Sequence, residues 1–280
     1  MRRSARVFKR LLGILTALVL FVTFSVAFLA VAELAVETTA RVLPSYARED
    51  IAPVLAKEEW SEEDYAFLYR QTGLGRPALD ALKGQCDKLL EFQDALYYEG
   101  TLEHEMAAFT TPHDILKDYK APMAPLETGD VIVSSSCHTF GWRNGHSAIV
   151  VDGDSHRVLE SVAPGLKSTL GYADWFRAAS NFIVLRLKDA TKEERAEIAL
   201  WATEHLHGIP YSILVGFRYP KDQGENVAFT NCSHLVWQAF KHFGLDIDFD
   251  GGPFVTSRDI ANSPVFEVVQ VYGFDPEELW

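Results

Sequence analysis

The segment Thr230-Asn231-Cys232-Ser233-His234-Leu235-Val236-Trp237 places a cysteine in the first turn of an expected helix, capped by Thr230 or Asn231. The N–H groups and dipole at a helix N-terminus stabilise a thiolate, the nucleophilic form of cysteine. A lone cysteine is otherwise a small buried apolar side chain, so chemistry at Cys232 needs a base. Gly145-His146-Ser147-Ala148-Ile149-Val150-Val151 offers one, a histidine heading a strongly β-forming run. Asp152-Gly153-Asp154 then signals a turn, and the returning Arg157-Val158-Leu159-Glu160-Ser161 carries a carboxylate where an apolar residue is expected. A loop of 152–154 pairs Val151 with Ser155 and sets His146 directly opposite Glu160 on one face. A loop one residue shorter would separate their faces.

Such a set supports nucleophilic catalysis: Cys232 as nucleophile, His146 as base, Glu160 holding the imidazole in one tautomer. The Cys232 backbone N–H is a natural oxyanion donor. Tyr211, in Gly208-Ile209-Pro210-Tyr211-Ser212, offers a second, with a core tyrosine as the plainer alternative. Tyr211, Ser147 and Ser233 are assigned to substrate binding. Cys137-His138 reads as loop. His138, His146 and His156 with Asp152 or Asp154 match no compact zinc motif and leave Cys232 unexplained, so neither metal nor cofactor is expected. His234 reads as surface or packing, and Trp201 and Trp237 as core. Cys86, Cys137 and Cys232 are odd in number, so one stays unpaired in a monomer; a Cys86–Cys137 bridge is conceivable but unsupported.

The elements that must position these residues begin at Gly129, where short apolar runs at 130–134, 146–151, 156–162, 182–187 and 266–272 read as strands. Between them, Thr191 with Glu194 opens a helix that stops at Gly208, and a second helix runs from Cys232 to Phe243. The expected class is α+β, an antiparallel sheet packed on helices over 125–280. Upstream, 61–72, 76–83 and 86–98 alternate apolar and charged residues at helical spacing, with Ser61 and Asp64 as a cap pair. Residues 100–128, with Pro112, Pro122 and Pro125, read as an irregular connection, making 61–124 a small helical region plus connection. Residues 37–60 read as a polar juxtamembrane linker.

Ahead of these, Arg2, Arg3, Arg6, Lys9 and Arg10 precede an apolar stretch from Leu11 to Ala32. A signal-peptide core is roughly 7–15 residues and a membrane-spanning helix needs about 20, so residues 1–36 are expected to be an uncleaved anchor contacting the membrane through 11–32. Small residues around Ala30 and Ala32 leave cleavage open. The basic tip stays cytoplasmic by the positive-inside bias, giving a single-pass cell-membrane protein with its C-terminal domain extracytoplasmic. Without those basic residues, 21 Lys and Arg face 39 Asp and Glu, a formal charge of −18. Such acidity argues against nucleic acid as a partner.

Gly129-Asp130, Gly145-His146-Ser147, Leu159-Glu160, Pro210-Tyr211 and Asn231-Cys232-Ser233-His234-Leu235-Val236-Trp237 together resemble the circularly permuted, YiiX-like branch of the NlpC superfamily of papain-like cysteine hydrolases. In that branch the catalytic order is His, polar residue, Cys, as here. The resemblance covers roughly 125–275. Thr256-Ser257-Arg258-Asp259-Ile260 resembles the branch's terminal Ser/Pro-x-Asp-Leu segment, with Ile260 for Leu. Gln71-Thr72-Gly73-Leu74-Gly75 is similar, more weakly, to the N-terminal extension of membrane-anchored members from Gram-positive bacteria. The resemblance implies a permuted papain-like fold with Cys232 as nucleophile, His146 as base and Glu160 as orienting acid. The expected activity is amide cleavage through a thioester, on a cell-wall peptide or N-acyl compound. Acyl transfer or ester cleavage on an acyl lipid by the same residues is the alternative, and an inactive binding module is a third reading. Expected partners are thus a peptide, amide or acyl-lipid substrate, and the membrane.

Overall fold

The computed structural model describes residues 2–37, 40–108, 111–138, 143–278 and 280. Its centre is a six-stranded antiparallel sheet in the order β6-β5-β4-β3-β7-β8. These strands are β3 (Val131–Ser134), β4 (His146–Asp152), β5 (Arg157–Glu160), β6 (Thr169–Tyr172), β7 (Phe182–Leu187) and β8 (Phe266–Tyr272). β3 and β7 are buried along their whole length, which explains their unbroken apolar sequence: both faces are covered.

On one face lie α6 (Lys192–Leu206) and α7 (Cys232–His242). Their Ile198, Trp201, Leu235, Val236 and Phe240 pack with Val131, Ile149, Leu159 and Ile183 of the sheet. On the other face lie α3 (Glu62–Thr72), α4 (Arg76–Leu82) and α5 (Cys86–Leu96), whose Leu68, Leu79, Leu89 and Phe92 pack with Ile132, Ala148, Val150 and Val184. Alternation along each strand thus feeds two separate cores. The upstream helices are one wall of the fold. Capping boxes start three helices: Ser61 with Asp64, Thr191 with Glu194, and Thr256 with Asp259 opening α8 (Ser257–Ala261). Each satisfies N–H groups that a helix start leaves without partners.

Two expectations are corrected, and one open question closes. Residues 102–116 are not irregular: β1 (Leu102–Ala108) and β2 (Thr111–Leu116) form a two-stranded hairpin in which Met106 faces Pro112. Proline is tolerated because its nitrogen faces away from β1, on the side where the Asp114 and Leu116 N–H groups donate to Ser136 O and Ala178 O, so no β1–β2 bond is lost. Residues 37–60 are not a free linker. Ala40 and Ile51 are buried, α2 spans Ala52–Leu55, and Val42 N–H donates to Gly273 O at 2.9 Å. No cysteine bridge forms, Cys86 being exposed and Cys137 buried.

α1 (Arg2–Glu37) is one continuous helix. Its segment Lys9–Leu29 is long and apolar enough to cross a membrane, with mean hydropathy 2.5 and nothing packed over it.

Asp130 opens β3 and is wholly buried. Its two oxygens accept from Arg186 Nε and Nη2 on neighbouring β7, both at 2.8 Å, a bidentate pair that ties the two central strands together.

Candidate active site

α7 begins at Cys232 because Asn231, extended in backbone, caps it and accepts the His234 N–H at 3.0 Å. This leaves Cys232 in the first turn, where the helix dipole favours a thiolate. The helix is amphipathic about Leu235, Val236, Ala239 and Phe240, and burying that stripe brings its N-terminus to the start of β4.

The β4–β5 register differs from the expected one. Ala148, and not His146, stands opposite Glu160, and an irregularity between Val150 and Asp152 sets Asp152 across from Arg157. The hairpin loop is longer than 152–154, shifting the register by two residues. An even shift keeps side chains on the same face, so His146 and Glu160 are diagonal neighbours and long side chains span the gap. His146 Nε2 lies 2.7 Å from Glu160 Oε2, both residues being buried. Glu160 in turn has room because Gly171 lies diagonal to it on β6: a Cβ there would meet Glu160 Oε1 at 2.3 Å.

The His146 ring also neighbours the Cys232 thiol. Burial opposes charge on both groups, but the hydrogen bond and charge of each partner outweigh it, raising the His146 pKa to about 10 and lowering that of Cys232. Glu160 adds to the first effect, and the Ser233 hydroxyl and Ser147 backbone N–H to the second. Both shifts run in the direction that favours a thiolate beside an imidazolium.

Ser147 and Ser233 do not open onto a cleft. Ser147 Oγ donates to Ser257 Oγ at 2.8 Å, Ser233 Oγ lies 3.4 Å from the same atom, and Cys232 Sγ is 3.7 Å from Ser233 Oγ. All three serines are buried, so the geometry offers them a role in positioning the sulfur. Ser257 went unnoticed as a functional residue; its capping box was the available signal. Tyr211 is half-buried beside the sulfur, held by a backbone bridge to Thr230. Burial, then the charge at Cys232, pushes its hydroxyl pKa upward, keeping it a proton donor.

Sequence reasoning also missed an aromatic wall. Trp175 and Phe176 stack at 4.0 Å and flank the His146 ring at 5.2 and 5.9 Å. His113 of β2 packs on Trp175 at 5.5 Å, and burial first, then the His146 charge, lowers its pKa to about 4. It is neutral at physiological pH. His234 is buried, not at the surface. Its Nε2 donates to Lys221 O at 2.8 Å and its Nδ1 accepts from Thr230 Oγ1 at 2.9 Å, a packing role.

Two other clusters have metal-ligand character. His104, Asp114 and His138 hold ligand atoms within 4.8 Å of one another. Asp114 Oδ1 lies 2.6 Å from His104 Nδ1 and 3.3 Å from His138 Nε2, while Oδ2 forms an ion pair with Arg143 Nη2 at 2.8 Å. Arg143 supplies the countercharge, and the group ties the β1–β2 hairpin to His138 and Arg143. Asp248, Asp250 and Asp259 form the second cluster, with the Lys221 ammonium paired to Asp248 in the same role. A cavity of about 550 Å³ lined by Arg143, Arg258, Asp259 and Trp280 flanks Ser257 and not the thiol.

No protein-family model matches the chain, and no curated protein matches it. Among solved structures, the chain is similar to the crystal structure of metalloprotein yiiX from Escherichia coli O157:H7 (DUF1105). Identity is 15% and the TM-score 0.40, over 52% of this chain and 97% of that one.

Proposed function

We propose that the chain is a membrane-anchored, extracytoplasmic cysteine hydrolase with a permuted papain-like catalytic domain of the YiiX-like kind, cleaving an amide through a thioester. The observation that carries this reading is the buried cluster in which Glu160 lies 2.7 Å from His146 and His146 and Cys232 each shift the other's pKa toward the charged form. The thiolate attacks the carbonyl carbon. The resulting oxyanion lies against the first-turn N–H of Cys232, with the Tyr211 hydroxyl as second donor. As the carbon–nitrogen bond breaks, the imidazolium proton passes to the leaving amine. Water, deprotonated by the now neutral His146, then attacks the thioester and releases acid and thiolate. Neither step draws on a metal or cofactor.

The test incubates the full chain with peptidoglycan fragments and N-acyl amino acids and reads acyl adducts on Cys232 by mass spectrometry. Turnover that survives Cys232→Ala sinks the proposal.

A second reading, acyl transfer or ester cleavage on a lipid by the same residues, is favoured by one observation: the loops beside the site expose large apolar side chains.

A further inference from the structure

Among the described residues outside α1, six of the ten exposed large apolar side chains belong to three loops: Leu166; Ile213, Leu214 and Phe217; Phe249 and Phe254. Phe217 is 81% exposed, Ile213 64% and Phe249 63%, values a soluble surface rarely concentrates in one region. The loops are contiguous. Leu166 O accepts the Tyr211 N–H at 3.0 Å, and Ser212 N–H donates to Thr230 O at 2.7 Å. Gly216 is pressed so closely on the third loop that a Cβ would meet Pro253 O at 1.8 Å. All three therefore rim the end of the sheet where α7 presents Cys232.

The membrane helix joins the domain at that same end. Ala40 O accepts from Asn181 Nδ2 at 2.6 Å, and Arg41 donates to Ser180 O at 2.9 Å. Asn181 Oδ1 accepts the Ser135 N–H at 2.7 Å, and Ser134 is the register partner of His146. The joint and the catalytic histidine are thus two strand spacings apart, roughly 10 Å. α1 ends at Glu37, three Cα steps before Ala40, at most roughly 11 Å of chain. With the eight helical residues between Leu29 and Glu37, about 12 Å of rise, this tethers the catalytic end to whatever surface α1 enters.

We propose that these loops form a docking surface for the lipid bilayer, their apolar side chains entering the headgroup and upper acyl region and turning the catalytic end toward the membrane. Exposed Lys167 and Arg218 sit on these loops, placed to meet lipid phosphates, with exposed Asp222 and Asp250 also on them. The inference rests on α1 as a membrane span and not on catalysis, so it holds equally for a chain carrying Cys232→Ala.

The test uses the full chain in phosphatidylcholine nanodiscs with brominated acyl chains. An indole introduced by Phe217→Trp is expected to lose at least half its added fluorescence relative to unbrominated discs. One introduced by Asp154→Trp, at the far end of β4, is expected to keep it. Equal quenching at both positions, or none at 217, overturns the proposal, as does a chain that elutes apart from the discs, which would remove the α1 reading itself. The other occupant of such a patch is a second copy. Phe217→Glu combined with Phe254→Glu should leave the mass of the detergent-solubilised chain unchanged, and conversion of a dimer to a monomer would identify a subunit interface instead.

Discussion

Gly171 of β6, the register partner of Val158, lies diagonal to Glu160 of β5 with no space for a side chain, since a Cβ would lie 2.3 Å from the carboxylate oxygen. The glycine therefore sets where Glu160 sits, and Glu160 sets the orientation of His146. Gly171→Ala is expected to displace the carboxylate and to lower both turnover and the rate of Cys232 alkylation by roughly tenfold or more. Circular dichroism should report an intact fold. Unchanged alkylation would show that Glu160 tolerates the move.

Glu160→Gln keeps the shape and removes the charge that helps hold His146 protonated. Turnover is expected to fall by roughly 10²-fold, within the range for positioned acid–base groups. The alkaline limit of activity should move to lower pH. A fall in activity with an unmoved alkaline limit would mean that Glu160 only packs.

The pH profile follows from the pair. Cys232 loses its proton below the ordinary thiol value, and His146 keeps its proton until about pH 10. Activity needs both charges, so kcat/KM is expected to rise on the acid side as the thiolate forms and to fall near pH 10 as the imidazolium is lost. Loss of activity around pH 6.5, where an ordinary histidine titrates, would contradict the ion pair.

Alkylation separates the three thiols. Near pH 6 an iodoacetamide-type reagent should label Cys232 faster than exposed Cys86 and far faster than Cys137. Burial, then the Cys232 charge, pushes the Cys137 thiol upward. Peptide mapping over a time course reads the order. Labelling confined to Cys137, or equal at all three, would remove Cys232 as nucleophile.

Asp130→Asn leaves Arg186 buried and without its carboxylate. Breaking one side of such a pair costs about 3 kcal/mol or more, read as a lower midpoint in urea. A loss below about 1 kcal/mol would show that Glu127, 3.3 Å from Arg186, takes over the charge.

Much of this was legible along the chain because it depends on near neighbours. α6 could be read from Thr191 and Glu194, and β7 and β8 from apolar runs bounded by turns. β6 could not: Thr169-Leu170-Gly171-Tyr172 carries little β signal, and it is a strand because β5 offers it an edge. The β1–β2 hairpin was hidden by Pro112 for the same reason, a local rule overridden by position in a ladder.

By itself, the amino-acid order determined which residues could react: a cysteine at a helix cap, and a histidine and a glutamate of matching strand parity. Parity survives any even slip of register, so the shared face was readable while the pairing was not. Only the tertiary structure decided that Ala148 stands opposite Glu160, that Ser257 closes a hydroxyl network beneath the sulfur, and that Trp175 and Phe176 wall the imidazole. It also decided that Ala40, shortly after α1, is held at the end of the sheet where His146 lies. Each of these is a contact between segments far apart in the chain, selected by which faces can be buried together.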